Sequence, residues 1–95
     1  MSYKLEFHPK ALKEFKKLDA AIKEQFKKKL KQRLEKPRVQ KDKLSGYPDL
    51  YKIKLRSAGF RMAYQVKDDV LIVTVIAVGK RENDVVYKQV SSRVK

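Results

Sequence analysis

The chain contains no cysteine, which excludes a disulfide framework and a thiolate metal site. Its single histidine, His8, has no second imidazole to work with, so histidine-pair catalysis and a His-based metal centre are excluded as well. No apolar run is long enough to span a bilayer, and there is no lipidation signal. The opening Met1-Ser2-Tyr3-Lys4-Leu5 lacks the apolar stretch of a signal peptide. Internal repeats and low-complexity linkers are missing too. Acidic residues are scarce, 11 against 25 Lys and Arg, which leaves a formal charge of +14 on 95 residues. These absences predict a soluble cytoplasmic protein, one domain over 1–95, without a membrane partner. Such a charge draws polyanions quickly and makes their binding salt-dependent. It also repels itself, so an acidic partner that neutralises it is expected.

What is present reads as a folded α+β domain, since a hydrophobic content of 42% is ordinary for a globular chain. Tyr3–Phe7 alternates apolar and polar residues and predicts a strand. His8-Pro9 breaks it and starts a helix with Leu12, Phe15 and Leu18 on one face, His8 serving as a surface or capping residue. Asp19 is placed to cap a second helix, in which Ile22, Phe26, Leu30 and Leu34 recur every four residues until Pro37 ends it. A loop over 38–48 closes with the turn-prone Ser45-Gly46-Tyr47-Pro48. Strands are predicted at Leu50–Arg56, Phe60–Val66 and Val70–Val78, joined by turns at Ser57-Ala58-Gly59 and Lys67-Asp68-Asp69. The third is apolar almost throughout and suits a central position. Val86, Val90 and Val94 mark a short last helix. The expected architecture is a small antiparallel β-sheet with an N-terminal helical hairpin and a short C-terminal helix, in the order β-α-α-β-β-β-α.

Cations in the second half carry the functional signal. Residues two apart in a strand share a face, so Lys52, Lys54 and Arg56 form a row while Tyr51, Ile53 and Leu55 face the core. Arg61 follows Gly59-Phe60, Arg81 follows Val78-Gly79-Lys80 at the expected end of the sheet, and Tyr87 lies six residues further on. Like charges side by side cost stability. A cationic row with arginines on neighbouring elements and one aromatic suits an RNA phosphate and an unstacked base. The lysines of the second helix, Lys27, Lys28, Lys29 and Lys31, with Arg33, read as a solvated outer face that attracts RNA over distance. Lys80 and Arg56 extend that footprint. Asp68-Asp69 is ordinary turn chemistry rather than a metal pair.

The runs Tyr51-Lys52-Ile53-Lys54-Leu55-Arg56-Ser57, Gly59-Phe60-Arg61-Met62-Ala63-Tyr64-Gln65-Val66 and Val78-Gly79-Lys80-Arg81-Glu82, with Tyr87, closely resemble the RelE toxins. The similarity extends to Ala11-Leu12-Lys13-Glu14 and Glu24-Gln25-Phe26-Lys27-Lys28-Lys29-Leu30, so it covers nearly the whole chain. The resemblance implies a fold related to microbial ribonucleases and the toxin half of a bacterial toxin–antitoxin pair. It implies a ribosome-dependent endoribonuclease that enters the A site, cuts mRNA there and inhibits translation. Lys52, Lys54, Arg61, Arg81 and Tyr87 match the family's functional positions. Ser45 departs, since some relatives carry a basic residue there. Relatives with a Glu base and a C-terminal His acid do not fit, because no histidine follows His8.

The implied reaction is attack of the mRNA 2′-hydroxyl on the adjacent phosphate, without a metal or cofactor. It leaves a cyclic 2′,3′-phosphate and a free 5′-hydroxyl. Partners implied are the ribosome, mRNA and an antitoxin of the RelB type, which displaces or pins residues 82–95. The toxin alone is expected to be a monomer, and to enter a higher-order complex with its antitoxin. Two alternatives remain open at this point: a non-enzymatic toxin of the same fold, such as a ParE-like gyrase poison, and a basic RNA- or ribosome-binding module.

Overall fold

The computed structural model describes residues 2–82 and 85–94; the expectation for residues 82–95 therefore lies partly outside the described residues. The elements run β1 (Lys4–Phe7), α1 (Pro9–Lys16), α2 (Ala20–Glu35), a 3-10 turn (Gln40–Asp42), β2 (Leu50–Leu55), β3 (Phe60–Lys67), β4 (Ile72–Lys80) and α3 (Val85–Arg93). The α+β class and the expected order hold. The sheet, ordered β1-β4-β3-β2, is antiparallel only across β2, β3 and β4, because β1 joins β4 in parallel. The sheet is therefore mixed rather than antiparallel. The helical crossover from β1 delivers β2 in the same direction as β1, and the two hairpin reversals that follow bring β4 back to that direction, so β1 and β4 run parallel.

Each face of the sheet has its own core. Tyr51, Ile53 and Leu55 of β2, Met62, Tyr64 and Val66 of β3, and Val73, Val75 and Val78 of β4 pack against Ala11 and Phe15 of α1 and Phe26 and Leu30 of α2. On the opposite face Leu50, Ala63, Ile76 and Ala77 pack with Leu44 and with Val86 and Val90 of α3. The period-two alternation of β2 thus sends Tyr51, Ile53 and Leu55 inward, as their sequence pattern predicts.

Local chemistry explains the element ends. Pro9 occupies the first turn of α1, and the His8 side chain accepts from the Lys10 amide at 3.2 Å, the capping role expected of it. Asp19 occupies the cap position of α2 without a side-chain bond. The expected third strand begins and ends two residues late: Val70 is 53% exposed in the turn, Leu71 takes φ 55°, and β4 runs on through Gly79 and Lys80. Register shifts between Ala63 and Tyr64, whose β4 partners are Ala77 and Val75. Ile76 is the extra residue, and this bulge puts both Ile76 and Ala77 under α3.

Candidate RNA-cleavage site

α3 lies over β4 and β3. Close docking requires small residues beneath it, and Ala63, Ala77 and Gly79 provide them: a Cβ on Gly79 would stand 3.4 Å from Val86 Cγ2. Lys52 and Lys54 of β2 share this face. Pairing sets Lys54 opposite Arg61, and Arg61 opposite Gly79, in one rung; Lys52, Ala63 and Ala77 form the next. Cations placed directly opposite repel one another, an arrangement suited to an anion bound between them.

Arg81 reaches the site by a different device. Gly59 ends the β2–β3 turn at φ 72°, and its carbonyl accepts from the Arg81 amide at 3.0 Å. The end of β4 is thereby pinned to the tip of the neighbouring hairpin. Lys54, Arg56, Arg61 and Arg81 line a cleft of about 100 Å³ with Leu55 and Phe60. The Tyr87 ring lies 5.1 Å from the Arg61 guanidinium carbon, a cation–π contact that ties α3 to the cationic rung. The Lys52 ammonium beside Lys54 is the main reason the Lys54 amine is pushed below the ordinary lysine value; desolvation, Arg61 and Arg56 act in the same direction.

The structure gathers four of the expected residues, Lys54, Arg56, Arg61 and Arg81, around one cleft, with Tyr87 on Arg61 and Lys52 one rung away. The expected footprint divides. Lys29 lines a wide groove along the β2 edge with Lys54 and Arg56. Lys27 and Lys31 instead border an apolar groove beside Leu5 and Phe7, on the β1 side. Lys28 is exposed. Lys80 follows Gly79 in β4 and so projects to the other face from the Arg61 rung.

Arg33 corrects the reading of a solvated helical face. Its side chain is 15% exposed, pairs with Asp42 at 2.6 Å, and donates to the Tyr64 hydroxyl at 2.9 Å and the Lys52 carbonyl at 3.1 Å. It positions the Lys52 backbone from the far side of the sheet. Asp68 is likewise occupied, by Arg38 at 2.6 Å and by the Tyr3 hydroxyl. Their bonds draw its carboxyl below the usual range, Tyr3 contributing most.

Two features escaped the sequence reading. Tyr47, read only as part of a turn, lines a crevice of about 350 Å³ with Leu44, Ser45, Lys52, Tyr87 and Val90. An aromatic residue in a loop between two predicted elements was the available signal. The second is an ion pair under the far end of α3. Arg93 meets Glu14 through both oxygens at 2.9 Å and donates to the Ile76 carbonyl at 2.8 Å, while Glu14 accepts from the Val78 amide at 3.1 Å. Pairing with β1 ends at Val75, so this pair satisfies the edge of β4 where β1 stops.

A small basic α+β domain with a cationic rung beneath a tyrosine-bearing helix has the form of a protein that binds RNA phosphate. The family described as "ParE toxin of type II toxin-antitoxin system, parDE" matches residues 5–85. The mRNA interferase toxin RelE of Escherichia coli K12 is 52% identical over 94 residues, covering 99% of each chain. An E. coli RelE mutant with arginines replaced by alanine, in the free state, superposes with a TM-score of 0.92 at 50% identity, covering 100% of both chains. A similar mutant in complex with a peptide of the antitoxin RelB matches with a TM-score of 0.83 at 53% identity, covering 100% of this chain and 97% of that one. The chain belongs to the type II toxin family that the ParE description covers, and within it to the RelE toxins. Among the described residues, no helix is long and apolar enough to cross a membrane.

Proposed function

We propose that residues 1–95 act as one toxin domain, a ribosome-dependent endoribonuclease that cuts mRNA in the A site and is neutralised by an antitoxin of the RelB type. The observation that carries this reading is the rung in which Lys54 stands opposite Arg61, with Arg81 at the same cleft and Tyr87 over Arg61. The scissile phosphate sits in this cleft. Neutral Lys54 takes the proton from the 2′-hydroxyl as the 2′-oxygen bonds to phosphorus. The bond from phosphorus to the 5′-oxygen breaks, and that oxygen takes a proton from water. Arg61 stabilises the charge gathering on the non-bridging oxygens, Arg81 that on the phosphate and the departing 5′-oxygen, and Lys52 supports both. Tyr87 stacks on a splayed base and holds the nucleophile in line. No metal or cofactor takes part.

The depressed Lys54 pKa supports its role as base, since an ordinary lysine near 10.4 is almost wholly protonated at neutral pH. With so little built-in orientation for a flexible strand, free RNA is a poor substrate and the ribosome presents the codon. The toxin works in the cytoplasm, where its target is, alone as a monomer and in a higher-order complex with its antitoxin. The antitoxin displaces or pins α3, which carries Tyr87 away from or locks it over Arg61.

Primer extension on a defined mRNA in a bacterial ribosome with an empty A site tests the reading. Wild-type protein cuts within the A-site codon only when ribosomes are present, and Arg81→Ala or Arg61→Ala lowers the single-turnover rate by about 10²–10³-fold. Absence of cutting by the wild type overturns the reading and leaves the cationic face as a docking surface for another target.

A further inference from the structure

The crevice beside the cationic rung has a composition that phosphate binding does not require. Tyr47 comes from the loop before β2 and Tyr87 from α3; both are half-buried and rest on the same apolar cluster. Leu44 and Val90 add apolar wall, and Lys52 lines the same space. At about 350 Å³ it falls in the lower range of small-ligand sites. Two features place it on the path of a bound strand. Lys52 belongs both to this crevice and to the cationic row. The Lys52 rung lies two residues along β2 from the Lys54–Arg61 rung, about 7 Å at strand rise, a separation that one nucleotide can bridge.

A hollow with aromatic rings from two elements, apolar walls and two lysines, Lys43 and Lys52, suits a nucleobase whose own phosphate stays outside. A purely electrostatic RNA surface needs none of these apolar walls. Nor is Tyr47 part of the cleft that Lys54, Arg56, Arg61 and Arg81 form.

We propose that the Tyr47–Tyr87 crevice receives the mRNA base that stacks on Tyr87 beside the scissile phosphate, and that Tyr47 completes this subsite and has a share in codon preference. The proposal rests on the RNA-cleavage reading. Its closing experiment is a binding measurement on the full chain, so that it can fail while ribosomal cutting stands. The probe is a trinucleotide made uncleavable by 2′-O-methyl groups, compared with two versions made abasic on either side of the central linkage. Tyrosine ring signals are followed by NMR at low salt, with Tyr47 assigned from Tyr47→Phe.

The expected result is that removing one of the two bases weakens binding by about fivefold or more, the lower bound for stacking on an aromatic residue. The Tyr47 signals shift with the intact trinucleotide, Tyr47→Phe keeps the preference for the base, and Tyr47→Leu, which still fills the space, loses it. Equal binding of intact and abasic RNA overturns the proposal. So does an intact base preference in Tyr47→Leu, a Tyr47 ring that does not respond, or failure of every trinucleotide to bind. Primer extension on ribosomes, scored separately with wild-type protein, reports on the cleavage reading itself.

Discussion

At the scale of single residues, the site depends on charges that disfavour one another. Lys54 feels Lys52 beside it, then desolvation, Arg61 and Arg56, all of which favour the neutral amine. In an NMR titration of lysine ε-methylene groups, Lys54 should release its proton below the ordinary lysine value near 10.4. Lys52→Ala should move it back up, because the largest cause is gone. A Lys54 that titrates with the surface lysines, or ignores the Lys52 change, removes the case for a general base here. The linkage to stability has a definite sign. Between the folded pKa and the higher unfolded one, the unfolded chain binds more protons, so stability rises with pH across that window. Gly59 makes the second residue-scale case. Its φ of 72° lies in the left-handed region, and a Cβ there meets nothing within 4 Å. The cost of Gly59→Ala is therefore conformational, about 1–2 kcal/mol, with Arg81 displaced because Gly59 holds its amide. Urea denaturation should show that loss together with reduced cleavage; an unchanged midpoint contradicts the strained-turn account.

At the scale of elements, the interest lies in how α3 is held. Its first turn meets Gly79 through Val86 and places Tyr87 over Arg61, and its last turn carries Arg93 to Glu14. Burial pushes the Glu14 carboxyl up, but Arg93, the Val78 amide and Gln89 together bring it below its ordinary value. Removing one member of a buried pair costs about 3–5 kcal/mol. Here the loss should fall at or below the low end, because Glu14 stays 23% exposed and α3 can lift away while the other core remains. Arg93→Met should therefore speed hydrogen exchange in α3 far more than in α2. Uniform acceleration across both helices counts against a local latch. The pH dependence follows from the lowered pKa. The contribution of Glu14 is complete above its unfolded value near 4.3 and fades as pH falls through the lower folded value. The stability gap between wild type and Glu14→Gln should accordingly begin to narrow below about pH 4 and vanish once pH passes below the lowered folded value.

Elements also show what the chain made legible. Alternation in Tyr51–Leu55 told which residues turn inward and which cations form the row, because a strand has only two faces. Spacing alone could not show that β1 joins β4 in parallel, since nothing local in Lys4–Phe7 encodes its partner. The bulge at Ile76 was hidden for a related reason: an unbroken apolar run has no polar residue to report a slip of register. Arg33 looked like one more cation on a basic helix, and only the approach of Asp42 and Tyr64 from other elements turns it inward. Glu14 and Arg93 lie 79 residues apart, beyond the reach of any local pattern.

At the scale of the whole molecule, a formal charge of +14 acts on any polyanion, yet its parts are not equivalent. Lys29 and Arg56 share the groove that Lys54 lines, at the β2 edge, whereas Lys27 and Lys31 lie beside Leu5 and Phe7 near β1. Both pairs contribute to the long-range field that steers association, which a Debye length near 8 Å screens at physiological salt. Only Lys29 and Arg56 can touch a strand that passes through the cleft. Each phosphate contact on single-stranded RNA contributes about 0.7 to the slope of log affinity against log salt. Lys29→Ala with Arg56→Ala should therefore flatten that slope by about 1.4, two contacts' worth, and weaken binding of an uncleavable RNA. Lys27→Ala with Lys31→Ala removes the same charge but should leave the slope close to that of the wild type, with its effect confined to the association rate at low salt. Equal slopes for the two double variants would mean that net charge alone governs RNA binding. The division of the footprint that the fold imposes on these lysines would then have no functional meaning.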